Sequence, residues 1–118
     1  MLRLASICLV LMLAQPLRAD YRIDSLKVLV ERAESNSKVD LLNQISDLYL
    51  NQNTEKALEY AREALALARV LNDPGRLATT LLNVGTILRN IGETEQALQL
   101  FKDAQRITEE RQLHPLRA

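Results

Sequence analysis

The chain has 118 residues, with 15 Lys+Arg balancing 15 Asp+Glu for a formal net charge of zero, and one cysteine, Cys8. That length holds one small domain at most. The charge balance leaves no electrostatic footprint for nucleic acid or an anionic membrane, and a lone cysteine excludes a disulfide framework and a thiolate zinc cage.

Taken in order, residues 1–19 read as a signal peptide. Arg3 supplies the positive start, Leu4 to Ala14 is a largely apolar run of 11, and Pro16-Leu17-Arg18-Ala19 resembles a cleavage region. A membrane-spanning helix needs about 20 apolar residues. An uncleaved anchor and a buried helix are the alternatives. Cys8 lies too early in the run for lipid attachment. Cleavage after Ala19 removes the cysteine and two arginines, which leaves 13 basic against 15 acidic residues and a net charge of −2. The expected location is exported, periplasmic or extracytoplasmic.

Residues 20–38 read as a lead-in and a capping helix. Asp24 is placed to cap it, and Leu26, Leu29, Val30 and Ala33 lie at i, i+3, i+4 and i+7, one face of a helix. Ser35 to Ser37 is expected to end it, because serine side chains compete for backbone groups. A second helix is expected from about Val39 to Leu50, with Asn51-Gln52-Asn53 as the stop and Thr54 as the next cap. Ala57, Leu58, Ala61, Ala64, Leu65 and Ala68 then form a small-residue seam suited to close helix approach. Asp73-Pro74-Gly75 is expected to close this unit, since Pro lacks a donor and Gly accepts positive φ. A fourth helix spans about Arg76 to Asn90, Gly92 turns the chain, and Thr94 caps a fifth that runs to about Arg111. All of it is helical.

These helices repeat. Leu41–Leu58 (LLNQISDLYLNQNTEKAL) laid on Leu81–Leu98 (LLNVGTILRNIGETEQAL) at an offset of 40 gives 8 identities in 18 positions without a gap. They are Leu41/Leu81, Leu42/Leu82, Asn43/Asn83, Leu48/Leu88, Thr54/Thr94, Glu55/Glu95, Ala57/Ala97 and Leu58/Leu98. Self-similarity at such a period signals stacked supersecondary units. The units are residues 39–75 and 76–114, with 115–118 as the truncated start of another.

The second unit, through Leu81, Val84, Gly85, Leu88, Gly92, Ala97, Phe101 and Ala104, resembles the tetratricopeptide repeat. The first matches through Leu41, Leu48, Ala57, Tyr60 or Ala61, and Ala64. It departs at Ile45, where the family wants Gly or Ala, and at Gln52 in place of Gly92. The family period is about 34 residues, and a period of 40 falls in the HEAT/armadillo range. The additional length is placed in longer helix ends and the Leu71–Gly75 turn. Elongated repeats of this kind are similar to those in sensory domains of bacterial signalling receptors of the sensor-kinase kind. The resemblance implies an all-α fold of tetratricopeptide-type helical hairpins forming a short right-handed solenoid.

No residues assemble into chemistry. His114 is a lone histidine beside Pro115, Glu109 and Glu110 point to different sides of a helix, and Gly85 and Gly92 stand outside any phosphate-loop motif. The expectation is a non-catalytic scaffold with no cofactor and no metal. The resemblance implies that a protein or peptide segment lies in a groove lined by first helices. Carried over residue by residue, that groove takes Leu42, Asn43, Ser46, Tyr49 and Leu50, then Leu82, Asn83, Thr86, Arg89 and Asn90. Asn43, Tyr49, Asn83, Thr86 and Arg89 are the peptide-binding candidates. An Asn side chain can clamp a backbone amide, or it can bond the neighbouring helix instead. Arg89 suits a carboxylate, and Tyr49 an amphipathic contact.

Two units plus one helix fall short of the three repeats a solenoid usually needs. Three readings follow: a fragment of a longer receptor with further repeats and an output domain, a small adaptor that forms a homodimer through Leu98, Phe101 and Ile107, or a structural repeat bundle without a dedicated groove. The first is favoured.

Overall fold

The computed structural model describes residues 20–113, and these form five α-helices with no strand among them. Residues 1–19 and 114–118, which carry the expected leader, His114 and the start of a further unit, lie outside the described residues. Helix α1 covers residues 20–32, followed by α2 (Ser35–Tyr49), α3 (Thr54–Val70), α4 (Pro74–Asn90) and α5 (Thr94–Leu113). Helix α2 pairs with α3, and α4 with α5, as two adjacent hairpins. They join through α3 against α4, with α2 also touching α4.

The alanine seam explains this packing. Ala57, Ala61, Ala64 and Ala68 are buried along α3, and their small side chains let the neighbouring first helices pack closely against it. One cluster joins Ile45, Tyr49, Ala57 and Ala61 to Val84, Ile87, Leu88 and Ala97 across the two hairpins. A second gathers Val39, Leu42, Ala64 and Ala68, and a third Ala78, Leu81 and Ala104. Each buried Leu or Ile contributes about 1.5–3 kcal/mol relative to exposure.

The start of the chain differs from the expected pattern. Helix α1 is already formed at residue 20, so Asp24 lies inside it and caps nothing. Its inner face begins at Ile23, which is buried, and continues through Leu26 and Val30 onto the first hairpin. Leu29, expected on that face, is exposed on the other side. Ser35 to Ser37 does not end α1; it opens α2. Ser35 holds φ at 55°, and this left-handed residue redirects the chain after a link of two residues, 33 and 34.

The caps also sit one residue early. Asn53, not Thr54, caps α3, its Oδ1 accepting from Lys56 N at 3.1 Å. The first bond of α5 runs from Ala97 N to the Glu93 carbonyl, which puts Thr94 inside the helix. Asp73-Pro74-Gly75 belongs to the start of α4. Asp73 Oδ1 accepts from Arg76 N at 3.1 Å, and Pro74 fills the first helical position, where its missing N–H costs nothing. Gly75 has no positive φ.

The two hairpins match at 40 in their second helices but at 39 in their first. Buried Val39, Leu42, Ile45, Ser46 and Tyr49 of α2 correspond to buried Ala78, Leu81, Val84, Gly85 and Leu88 of α4. Ser46 is therefore the small residue at the helix crossing. It is fully buried, and its hydroxyl donates to the Ala57 carbonyl at 2.8 Å. The gapless alignment had put Ile45 there.

The turns absorb the missing residue. In the second hairpin Glu93 N bonds Leu88 O (2.8 Å) and Gly92 N bonds Arg89 O (3.1 Å). This is the paired-bond helix stop that needs a left-handed residue, and Gly92 provides it at φ 92°. In the first hairpin Asn53 N reaches Tyr49 O, the counterpart of Leu88 O, at 2.8 Å across one residue fewer. No left-handed residue is required there, which is why Gln52 serves.

Candidate functional site

A cleft of about 320 Å³ runs between α2 and α4, lined by Asn43 and Asp47 of α2 with Leu50 at its C-cap, and by Thr79, Leu82, Asn83 and Thr86 of α4. The spacings are helical: i, i+4, i+7 on α2, and i, i+3, i+4, i+7 on α4, so each helix presents one stripe. Alanines on α3 draw both helices in behind these stripes.

A ladder of side-chain hydrogen bonds fixes one wall of the cleft to the other. Asn83 Nδ2 donates to Asn43 Oδ1 at 3.1 Å, Asn43 Nδ2 donates to Thr80 Oγ1 at 3.0 Å, and Thr80 Oγ1 donates to the Arg76 carbonyl at 2.8 Å. Both asparagines are half-buried, and Thr80 is fully buried. Asn83 keeps a second N–H and its carbonyl oxygen beyond this ladder. Thr79 and Thr86 turn their hydroxyls onto the carbonyls of Gly75 and Leu82 at 3.0 and 2.8 Å, which leaves their methyl groups as apolar lining.

Arg76 marks one end of the same face. Its guanidinium donates through Nε and Nη2 to both oxygens of Asp40, at 3.0 and 2.9 Å, and through Nη1 to Asp73 at 2.6 Å. The backbone N–H of Arg76 and, after it, the Nη1 bond hold the Asp73 carboxyl below its ordinary pKa. The side-chain bonds to Asp40 and Asp73 raise the guanidinium pKa above its usual value. Asp47 differs. It makes no ion pair among the described residues, and partial burial pushes its carboxyl pKa up.

Of the five residues expected to bind a peptide, Asn43, Asn83 and Thr86 line the cleft. Tyr49 and Arg89 do not. Tyr49 is buried in the first hairpin, stacked on Tyr60 with ring centroids 5.6 Å apart, and Lys27 and Lys56 lie over its ring. Arg89 leans its guanidinium over the Phe101 ring on α5, 5.9 Å from the centroid. Leu42 and Ser46 are likewise core, not groove.

One cause accounts for the displaced residues on α2. Transfer at an offset of 40 instead of 39 rotates that helix by one residue, about 100°. At 39, the counterparts of Leu82, Thr86 and Arg89 are Asn43, Asp47 and Leu50, the residues that line the cleft. Asp47 and Thr79 were missed. The signal for Asp47 was present in the sequence, since a small residue, Ser46, directly follows the mismatched Ile45.

On the outer side of α5, Leu98 is exposed, but Phe101 and Ile107 are half-buried against the cores they share with α4. The open apolar side expected for this helix is thus largely covered. Among the described residues no cluster of His, Cys, Asp or Glu could hold a metal ion, and no helix is long and apolar enough to cross a membrane.

A family model described as tetratricopeptide repeat matches residues 39–110, more than half of the chain. No curated protein matches the chain.

Proposed function

The chain belongs to the tetratricopeptide-repeat family, a non-catalytic scaffold fold, and we propose that its cleft between α2 and α4 binds an extended segment of another protein. The observation that carries this reading is the joint lining of one cleft by consecutive first helices, with amide groups of Asn43 and Asn83 beside apolar Leu50 and Leu82. An extended peptide offers the complement: backbone N–H and C=O groups for the asparagines and side chains for the leucines. The leader-like residues 1–19 favour an exported, periplasmic setting, and the elongated repeats favour the interaction part of a bacterial signal-transduction protein with further domains.

The test is peptide selection from a random display library, followed by NMR mapping of a selected peptide on the chain. Shifts concentrated on the seven cleft residues are expected. Leu82→Ala, at an exposed position, should weaken binding with little change in melting temperature. Selected peptides that map to the outer faces of α3 and α5 would overturn the reading.

Self-association is the second reading, favoured by the exposure of Leu98. It places a two-fold dimer on α5. Sedimentation equilibrium that returns a concentration-independent monomer mass removes it.

A further inference from the structure

We propose that the segment bound in this cleft carries an arginine or lysine, whose cationic head pairs with Asp47 while its methylene stem lies on Leu50 and Leu82. The inference rests on the peptide-binding reading above and adds the charge of the ligand.

Three observations converge on it. Asp47 lines the cleft and has no cationic partner among the described residues, whose ion pairs are Arg76 with Asp40, Arg76 with Asp73, and Arg106 with Asp103. The cations carried by α4 are committed elsewhere: Arg76 is held bidentately by Asp40 and again by Asp73, and Arg89 lies over Phe101. The remaining lining is amide, hydroxyl and leucine. Asp47 is exposed in the free protein, so its carboxylate stands open to a ligand cation, and a segment that covers the cleft strengthens the pairing by excluding water around it. Long basic side chains suit such a site, because they bury their stem on apolar surface and keep the charge at the polar end. An acidic segment meets the opposite situation, with Asp47 repelling it and no cationic side chain in the cleft lining.

This inverts the expectation drawn from Arg89, which had pointed to a carboxylate ligand. Reading α2 at an offset of 39 takes Tyr49 out of the cleft and puts Asp47 in.

Three short peptides, acetylated and amidated, decide the matter: Leu-Arg-Leu, Leu-norleucine-Leu and Leu-Glu-Leu, titrated by NMR into the chain and into Asp47→Asn and Asp47→Glu. Leu-Arg-Leu should shift the amide signals of Asn43, Asp47, Leu82 and Thr86 and bind about tenfold tighter than Leu-Glu-Leu, the scale of one charge-assisted bond. The preference should vanish in Asp47→Asn and persist in Asp47→Glu, both variants melting as the parent does or higher. Equal binding of all three peptides at the cleft leaves the groove standing and overturns the charge assignment. A preference for arginine that survives Asp47→Asn does the same. If no peptide moves any cleft signal, the peptide-binding reading itself falls.

Discussion

Gly85 tests the helix crossing most directly. In an open helix, Gly→Ala stabilises by about 1 kcal/mol, because Ala loses less backbone freedom. Here a Cβ at Gly85 would stand 2.6 Å from Phe101 Cε1 and 3.0 Å from Cδ1, distances at which the ring must move. Overpacking of a filled core costs about 1–3 kcal/mol. Gly85→Ala should therefore end between neutral and about 2 kcal/mol destabilised, which lowers the melting temperature by up to about 10 °C in a domain of this size. Gly85→Leu should cost more. Phe101→Leu withdraws the ring edge, so in that background Gly85→Ala should recover its intrinsic gain of about 1 kcal/mol. Urea melts of the four proteins give the coupling, expected at about 1–3 kcal/mol. A Gly85→Ala change that stabilises equally in both backgrounds would refute the crossing.

The offset of 39 separates two leucines that the gapless alignment treats as equivalent: Leu42→Ala should cost about 2–5 kcal/mol in a urea melt, whereas Leu82→Ala should stay within about 0.5 kcal/mol. Similar losses for both would restore the offset of 40. Asp73 has a depressed folded pKa, so the stability it contributes is present above its unfolded value near 3.8 and is lost as pH falls through the lower folded value. Asp73→Asn keeps a cap acceptor, so it should lower stability at pH 7 only modestly and flatten that acid limb in melts recorded below about pH 4. Export should leave Asp20 as the first residue; mass spectrometry of the exported protein that still found Met1 would reject the leader.

The helical class, the two hairpins and the small residues of the seam were legible because they rest on spacing and size, which survive errors of one residue. Helix ends were less legible. Asn53 and Thr54 are both competent caps, and only backbone geometry chooses between them. Ile23 was lost because the face of α1 was begun at Leu26; Leu26 and Val30 belong to that face as expected, and Leu29 does not. The cleft suffered most. A repeat alignment ranks identities, and Leu41-Leu42-Asn43 over Leu81-Leu82-Asn83 outscores the shifted register in which burial agrees. Even so, Asn43 and Asn83 meet across the cleft, because neighbouring positions on adjoining helices suffice for a hydrogen bond at 3.1 Å.

The two hairpins reach the same helix approach with different volumes. In the second, glycine faces a phenyl ring: Gly85 leaves the space and Phe101 fills it. In the first, Ser46 and Ala61 occupy the corresponding positions, both fully buried, and the aromatic volume moves to Tyr60, stacked on Tyr49 at the end of α2. Tyr49 occupies the position of Leu88, buried at the end of its first helix, so α2 and α4 turn the same face to their partners. Asp47, two residues earlier and on another side of α2, then falls at the cleft where Thr86 stands on α4. The shortened connection before Asn53 preserves this orientation, since Asn53 N still reaches Tyr49 O without a left-handed residue. The charge offered to a ligand thus comes from a difference on a shared face, an aspartate on α2 where α4 carries a threonine.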